Sequence, residues 1–197
     1  MKRVVITGAG TINSIGQNVS QTINSFKEGR CGISDLKFKD VERLSIKIGG
    51  QIHDFEPDKH FNRQQLSLYD RYTQLTLIAA NEAIEESGLI FNGQLAATTG
   101  VVLGTAGGGV STWDDNYRAV YEEGKNRVHP FVVPKLMNNA AASHLSMKYN
   151  LKGQPLLFQL PVPALIMQWP KLSKLCDPPK AQLWSLEVQR ACYVLVA

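Results

Sequence analysis

Glycine is absent from residues 154–197 of this 197-residue chain, although sixteen glycines lie at or before Gly153. Proline has the opposite bias. Six of the nine prolines follow Gly153, as do two of the three tryptophans and two of the three cysteines. A glycine-rich α/β chain does not usually change composition so abruptly, so a break in organisation is expected there. Cysteine is scarce, and Cys31, Cys176 and Cys192 have no paired spacing. That pattern argues against a disulfide framework or a zinc site and favours a reduced, cytoplasmic protein. No apolar run is long enough to span a bilayer. Met1-Lys2-Arg3 is basic, but the apolar run after it is too short for a signal-peptide core and leads into Gly8, so it reads as a mature cytoplasmic start. Basic runs alternating with aromatics are also missing. The net charge of +4 is spread through mixed-sign clusters such as Asp114-Asp115 and Lys125-Asn126-Arg127, which argues against nucleic-acid binding. What is present, 44% hydrophobic residues, suffices to bury one core.

Before the break the pattern is that of an α/β protein. Residues 3–7 form a short β-branched run that reads as a buried strand, and residues 18–28 have helical character. The polar stretch 37–58 is expected to hold loops and a minor strand over 45–52. Residues 68–87 give a strong helix, with Leu68, Tyr72, Leu75, Ala79 and Ala83 on one stripe, Leu77, Ile78 and Ile84 widening it, and Gly88 as the stop. So wide a stripe implies burial on more than one side. Residues 100–104 read as a second central strand feeding the loop 105–109. Two further helices fit 111–123 and 134–149, the second with Pro134 in its first turn and the small-residue run Ala140-Ala141-Ala142-Ser143, which predicts a close-packed interface. Residues 154–197, by contrast, hold Pro155, Pro161, Pro163, Pro170, Pro178 and Pro179 and show no helical or strand period, so poor order is expected there.

Gly8-Ala9-Gly10 after a first strand admits two readings. One is a dinucleotide-binding turn, in which backbone amides approach a pyrophosphate, but the next glycine falls only at Gly16 and no acidic residue ends a strand at ribose-binding distance. The other is a structural turn between strand and helix. The loop 105–109 lacks the Lys-Ser/Thr ending of a phosphate loop, so its glycines imply backbone held close to another strand or to an apolar ligand. His53, His60, His129 and His144 have neither metal-site spacing nor a nucleophile partner, and each reads as a surface or interface residue. Asp70-Arg71 reads as an ion pair at a helix start. Cys31 lies in a loop with no evident activating base. The residues taken singly present no active site.

As an ordered set, several segments resemble the β-ketoacyl synthases. They are Arg3-Val4-Val5-Ile6-Thr7-Gly8-Ala9-Gly10; Phe26-Lys27-Glu28-Gly29-Arg30-Cys31-Gly32-Ile33; Asp70-Arg71; Val101-Val102-Leu103-Gly104-Thr105-Ala106-Gly107-Gly108; Pro130-Phe131-Val132-Val133-Pro134; and Leu151-Lys152-Gly153. The resemblance covers residues 1–153. It implies the N-terminal half of a thiolase-like α/β fold, and decarboxylative Claisen condensation of a malonyl-carrier-protein with an acyl thioester in fatty acid or polyketide synthesis. It also implies an acyl carrier protein as partner and a homodimer whose interface lines an acyl tunnel. By position, Ala106 resembles the residue that limits acyl-pocket depth and Phe131 one that reaches the tunnel from the dimer interface. A bulky residue in place of Ala106 is expected to shorten the preferred acyl chain. No metal or dissociable cofactor is implied, because the phosphopantetheine arm belongs to the carried substrate. Two other readings stand beside this one, a nucleotide-binding α/β domain and a fragment that docks on an intact synthase.

In such enzymes the nucleophilic cysteine follows soon after the Leu-Lys-Gly position. Here that place reads Gln159-Leu160-Pro161-Val162-Pro163-Ala164, without a cysteine. The two histidines and the lysine that complete the family's site come from a C-terminal half that this sequence is expected not to reach. The genetic code suggests why the cysteine is missing. Joining the last base of each codon to the first two of the next, from Gln159 to Pro170, permits Thr-Ala-Cys-Ala-Ser-Ser-Asn-His-Ala-Met-Ala. The single codons of Met167 and Trp169 force alanine at two of those steps, and Leu186 to Arg190 likewise permits Gly-Gly-Ser-Glu. A shift of the reading frame near Gln154 is therefore expected. It would make 154–197 an out-of-frame, non-native, proline-rich tail and leave the literal polypeptide inactive and poorly soluble, with apolar faces of 68–87 and 134–149 uncovered.

Overall fold

The computed structural model describes residues 5–153 and three later strands, Leu156–Phe158, Leu183–Val188 and Ala191–Val196. In chain order the main elements are β1 (Gly8–Ile12), α1 (Val19–Lys27), β2 (Ile33–Asp35), β3 (Ile48–Gly50), α2 (Arg63–Leu68), α3 (Arg71–Ser87), α4 (Gly93–Thr98), β4 (Thr99–Gly104), α5 (Val110–Tyr121), α6 (Val132–Leu136) and α7 (Ala140–Tyr149), then the three strands named above as β5, β6 and β7. Among the described residues, five strands form one sheet in the order β1-β7-β6-β4-β5. The β4–β5 and β4–β6 pairs are parallel, and the β6–β7 and β1–β7 pairs are antiparallel. A separate antiparallel ribbon joins β2 to β3.

Helix α3 organises the core. Asp70 caps its start, accepting a hydrogen bond from the Tyr72 amide at 3.1 Å, and Gly88 ends it in the left-handed conformation at φ 64°. The helix lies across β1 and β7 and against α7. Its contact with β1 is backbone to backbone. A methyl group on Gly8 or Gly10 would overlap the carbonyl oxygen of Ala83 or Ala79, and Ala79, Ala80 and Ala83 are fully buried. Close approach of this kind needs glycine on the strand and alanine on the helix, and the chain supplies both. Around this contact Ile12, Leu77, Val101, Leu103 and Leu145 form the apolar centre, each large side chain contributing about 2 kcal/mol by its burial.

Several sequence expectations need correction. The first strand described is Gly8–Ile12; of the expected span 3–7, residues 5–7 lie ahead of it, with Val5 and Ile6 exposed, whereas β1 packs beneath α3. Gly8 and Gly10 therefore sit inside a strand, and neither the nucleotide loop nor the structural turn describes them. The amides of Ala9 and Thr11 donate to the carboxylates of Glu86 (2.6 Å) and Glu82 (2.9 Å), so the groups that would face a pyrophosphate already face negative charge. The long helix begins at Arg71, with Leu68 belonging to α2. Its buried face also takes in Thr73, Thr76 and Ala80, while Leu75, Ile78 and Ile84 are only half-buried. The helix expected over 134–149 is two helices, broken at Met137–Asn139. Segment 154–197, read as lacking any strand period, contributes β5, β6 and β7. The last two lie beyond Pro179, in a proline-free run rich in valine, leucine and aromatic residues. The remainder of that segment, including the position expected for a nucleophile elbow, lies outside the described residues.

Candidate functional site at the glycine loop

Strand β4 is buried along its whole length and delivers the chain into the loop 105–109. Thr105 Oγ1 accepts from the Gly108 amide at 3.0 Å and folds the loop back on itself. Gly108 takes the left-handed conformation at φ 61°, and a side chain there would collide with Asn138 Oδ1. Gly109 donates its amide to the Leu136 carbonyl at 3.1 Å. Gly108 and Gly109 therefore lie against the end of α6 and the segment that follows it, rather than against a strand.

Two side chains at the start of α3 fix this arrangement. Asp70, 3% exposed, accepts from the Thr112 amide at 2.8 Å and from Thr112 Oγ1 at 2.6 Å while it caps α3. One carboxylate thus serves the amino ends of α3 and α5, where the aligned peptide dipoles favour negative charge. Tyr72 reaches the other side. Its hydroxyl donates to the Met137 carbonyl at 2.5 Å and accepts from the Ala141 amide at 3.2 Å, bridging the α6–α7 break. The expected Asp70–Arg71 ion pair does not form. Arg71 instead donates to the Ile52 carbonyl at 2.7 Å and lies over the Phe55 ring. Sequence reasoning missed Asp70 and Tyr72 as site-forming residues; the one available signal was an aspartate immediately before a helix, which marks a cap.

Ala106 and Phe131, the two residues expected at an acyl pocket, lie on the two segments that meet where α6 packs on α5. Ala106 is exposed in the loop ahead of α5; Phe131 is 49% exposed at the start of α6, its amide bonded to His129 Nδ1 at 3.2 Å. Between the two helices runs an apolar groove of 280 Å³, lined by residues including Trp113, Tyr117, Val120, Tyr121, Val132 and Leu136. On the far side of α5, Arg118 pairs with Asp40 at 2.8 Å, Asp114 at 2.9 Å and Glu122 at 3.1 Å, tying the helix to the segment between β2 and β3.

The remaining titratable groups do not converge. His144 is half-buried against the edge of Tyr69, and that burial lowers its pKa from the usual 6.5. His53 Nε2 lies 2.7 Å from Ser34 Oγ beside the β2–β3 ribbon, but among the described residues no carboxylate bonds to the ring, and His60 and His129 are exposed elsewhere. Cys31 is free and exposed. A polar cavity of 520 Å³ lies between α1, α3 and α7, and three of its lining residues are engaged in hydrogen bonds. Lys148 donates to Asn81 Oδ1 at 2.6 Å, and Glu82 accepts from the Thr11 and Val19 amides. Among the described residues no group of three or more histidine, cysteine, aspartate or glutamate side chains is placed to hold a metal, and no helix is long and apolar enough to cross a membrane.

Comparison with known proteins agrees with this geometry. Residues 1–159 match the family profile described as "Beta-ketoacyl synthase, N-terminal domain". The 3-oxoacyl-[acyl-carrier-protein] synthase 2 of Staphylococcus aureus (strain N315) is 33% identical over 152 residues, covering 77% of this chain and 37% of the relative. The protein of the same name from Coxiella burnetii is 31% identical over 152 residues, with the same coverage. Among solved structures, a beta-ketoacyl synthase from Burkholderia phymatum STM815 superposes with a TM-score of 0.74 at 20% identity, covering 94% of this chain and 46% of that one. A type II PKS acyl-carrier protein in complex with its ketosynthase, bound to the hexaketide, gives a TM-score of 0.78 at 17% identity, covering 100% of this chain and 62% of that one. The chain thus has the fold of the ketosynthases and spans just over a third of the length of the curated relatives. By its matched sequence and its fold together, it belongs to the β-ketoacyl synthase family, of which it carries the N-terminal domain.

Proposed function

We propose that this chain is the N-terminal part of an acyltransferase that lengthens acyl chains by decarboxylative Claisen condensation, and that as written it lacks the nucleophile for that reaction. In the intact enzyme a cysteine thiolate attacks the acyl thioester carbonyl, and the carrier thiol leaves. A malonyl thioester then loses carbon dioxide, and the resulting carbanion attacks the enzyme-bound acyl carbonyl, expelling the cysteine thiolate. Acyl carrier protein is the partner that presents both acyl groups, and a second copy of the enzyme completes the acyl tunnel. The substrate belongs to fatty acid or related acyl and polyketide synthesis, and the compartment is the cytoplasm, consistent with the free thiol of Cys31. Ala106 and Phe131 are assigned to the acyl-pocket wall by the family resemblance, supported by the packing of α5, which follows the Ala106 loop, on α6, which begins just after Phe131.

The observation that carries the proposal is where the family match stops. It ends at residue 159, and the residues that follow, Leu160-Pro161-Val162-Pro163-Ala164, contain no cysteine, whereas the neighbouring register of the same codons permits Thr-Ala-Cys-Ala-Ser. We therefore assign residues 1–153 to the condensing-enzyme domain and residues 154–197 to an out-of-frame tail. Sequencing the gene and measuring covalent acyl uptake from an acyl-carrier-protein thioester test both parts. The polypeptide as written is expected to take up none, and the frame-restored enzyme to gain one acyl group on cysteine. Stoichiometric uptake by the unaltered 197-residue chain, or a gene that encodes no elbow in any register, would overturn the proposal.

A further inference from the structure

The buried carboxylate of Asp70 has a role beyond capping its own helix. Its Oδ2 takes two hydrogen bonds from Thr112, at 2.8 Å from the amide and 2.6 Å from the hydroxyl. Its Oδ1 takes the Tyr72 amide at 3.1 Å. Asp70 is 3% exposed and Thr112 5%, so neither group exchanges these bonds freely with water. Gly109 packs against the same carboxylate: a methyl group there would stand 3.2 Å from Asp70 Cγ and 2.7 Å from the Lys135 carbonyl oxygen. The loop 105–109 is therefore held at its far end between Asp70 and the end of α6. Its near end is fixed by β4, which is buried throughout. Ala106 lies between these two anchors, and its place follows from the length of loop left between them.

We infer that Asp70, acting through Thr112, is a positioning residue for the glycine loop and, through Ala106, a determinant of acyl-pocket depth. This rests on the proposed function, under which Ala106 stands at the pocket wall. Asp70 touches no substrate on this account. Replacing Thr112 by valine removes the hydroxyl bond and keeps the amide bond, serine retains both, and Asp70→Asn puts a donor where an acceptor is needed.

Hydrogen exchange in the 197-residue chain reads the linkage directly. Thr112→Val and Asp70→Asn are expected to speed exchange of the amides at 107–112 about tenfold, the size expected for loss of a hydrogen bond to a charged group. Residues 76–84 of α3 are expected to be unaffected, and Thr112→Ser to behave as the parent. In the frame-restored enzyme the same two variants are expected to change the ratio of long to short acyl products while kcat on the shortest primer holds. Unchanged loop exchange in both variants overturns the inference. So does altered exchange with an unchanged product ratio in an active enzyme. Failure of the unsubstituted frame-restored enzyme to condense any substrate instead overturns the proposed function, and that result is recognised without any variant.

Discussion

His144 shows how a side chain with no catalytic partner among the described residues still leaves a measurable trace. Half-buried against Tyr69, it has a folded-state pKa below 6.5 because burial penalises the charged ring. The unfolded chain thus binds a proton before the folded chain does as pH falls, so unfolding free energy decreases from about pH 6.5 downward until the folded ring also protonates. Replacing His144 by asparagine is expected to remove that part of the slope, seen as urea midpoints that differ less between pH 7 and pH 5.5 than in the parent. At this scale the sequence was legible where a residue acts alone and misleading where it acts through distant partners. Asp70 beside Arg71 suggested a neighbouring ion pair, but the carboxylate turns inward to Thr112, forty-two positions along the chain. Nothing in a local pattern distinguishes those outcomes, because the partner arrives only when α5 docks.

The elements teach the same lesson through their ends. The body of α3 was readable from its apolar stripe and from Gly88, whereas its true start required recognising Asp70 as a cap rather than a helical residue. The break between α6 and α7 was invisible, because the run through Ala140 to Ala142 favours helix and Pro134 fits an early turn. What holds the chain open there is Tyr72, which gives Met137 a donor and Ala141 an acceptor from another helix. Tyr72→Phe deletes both bonds and leaves a buried amide without a partner. It is expected to destabilise the fold by about 2 kcal/mol. Urea titration checks the magnitude, and faster hydrogen exchange at 137–141 than elsewhere in α7 checks the location. Helix α4, from Gly93 to Thr98, had no recognisable sequence signal, since glycine at a first helical position resembles a loop.

For the whole molecule, composition suggested a break near Gly153, and the ordered motifs before it pointed to the family. The strand pairing of β5, β6 and β7 was not readable, since parallel pairing with β4 joins segments far apart in sequence. The α5–α6 groove leaves Trp113, Tyr117 and Tyr121 each more than half exposed, an apolar surface of the kind that promotes association. The 197-residue chain is expected to self-associate at micromolar concentration. Light scattering should show a marked reduction on replacing Trp113 and Tyr117 together by serine; an unchanged particle size in the double variant would place the sticky surface elsewhere.

Self-association through the groove differs from growth by adding strands. The outer border of the main sheet at β1 is already occupied, because Glu82 and Glu86 reach over from α3 and take the amides of Thr11 and Ala9. A foreign strand arriving at that border would find two of its amide donors taken and two negative charges in its path. Extension at β1 would have to displace two carboxylates that come from the same helix that supplies the core.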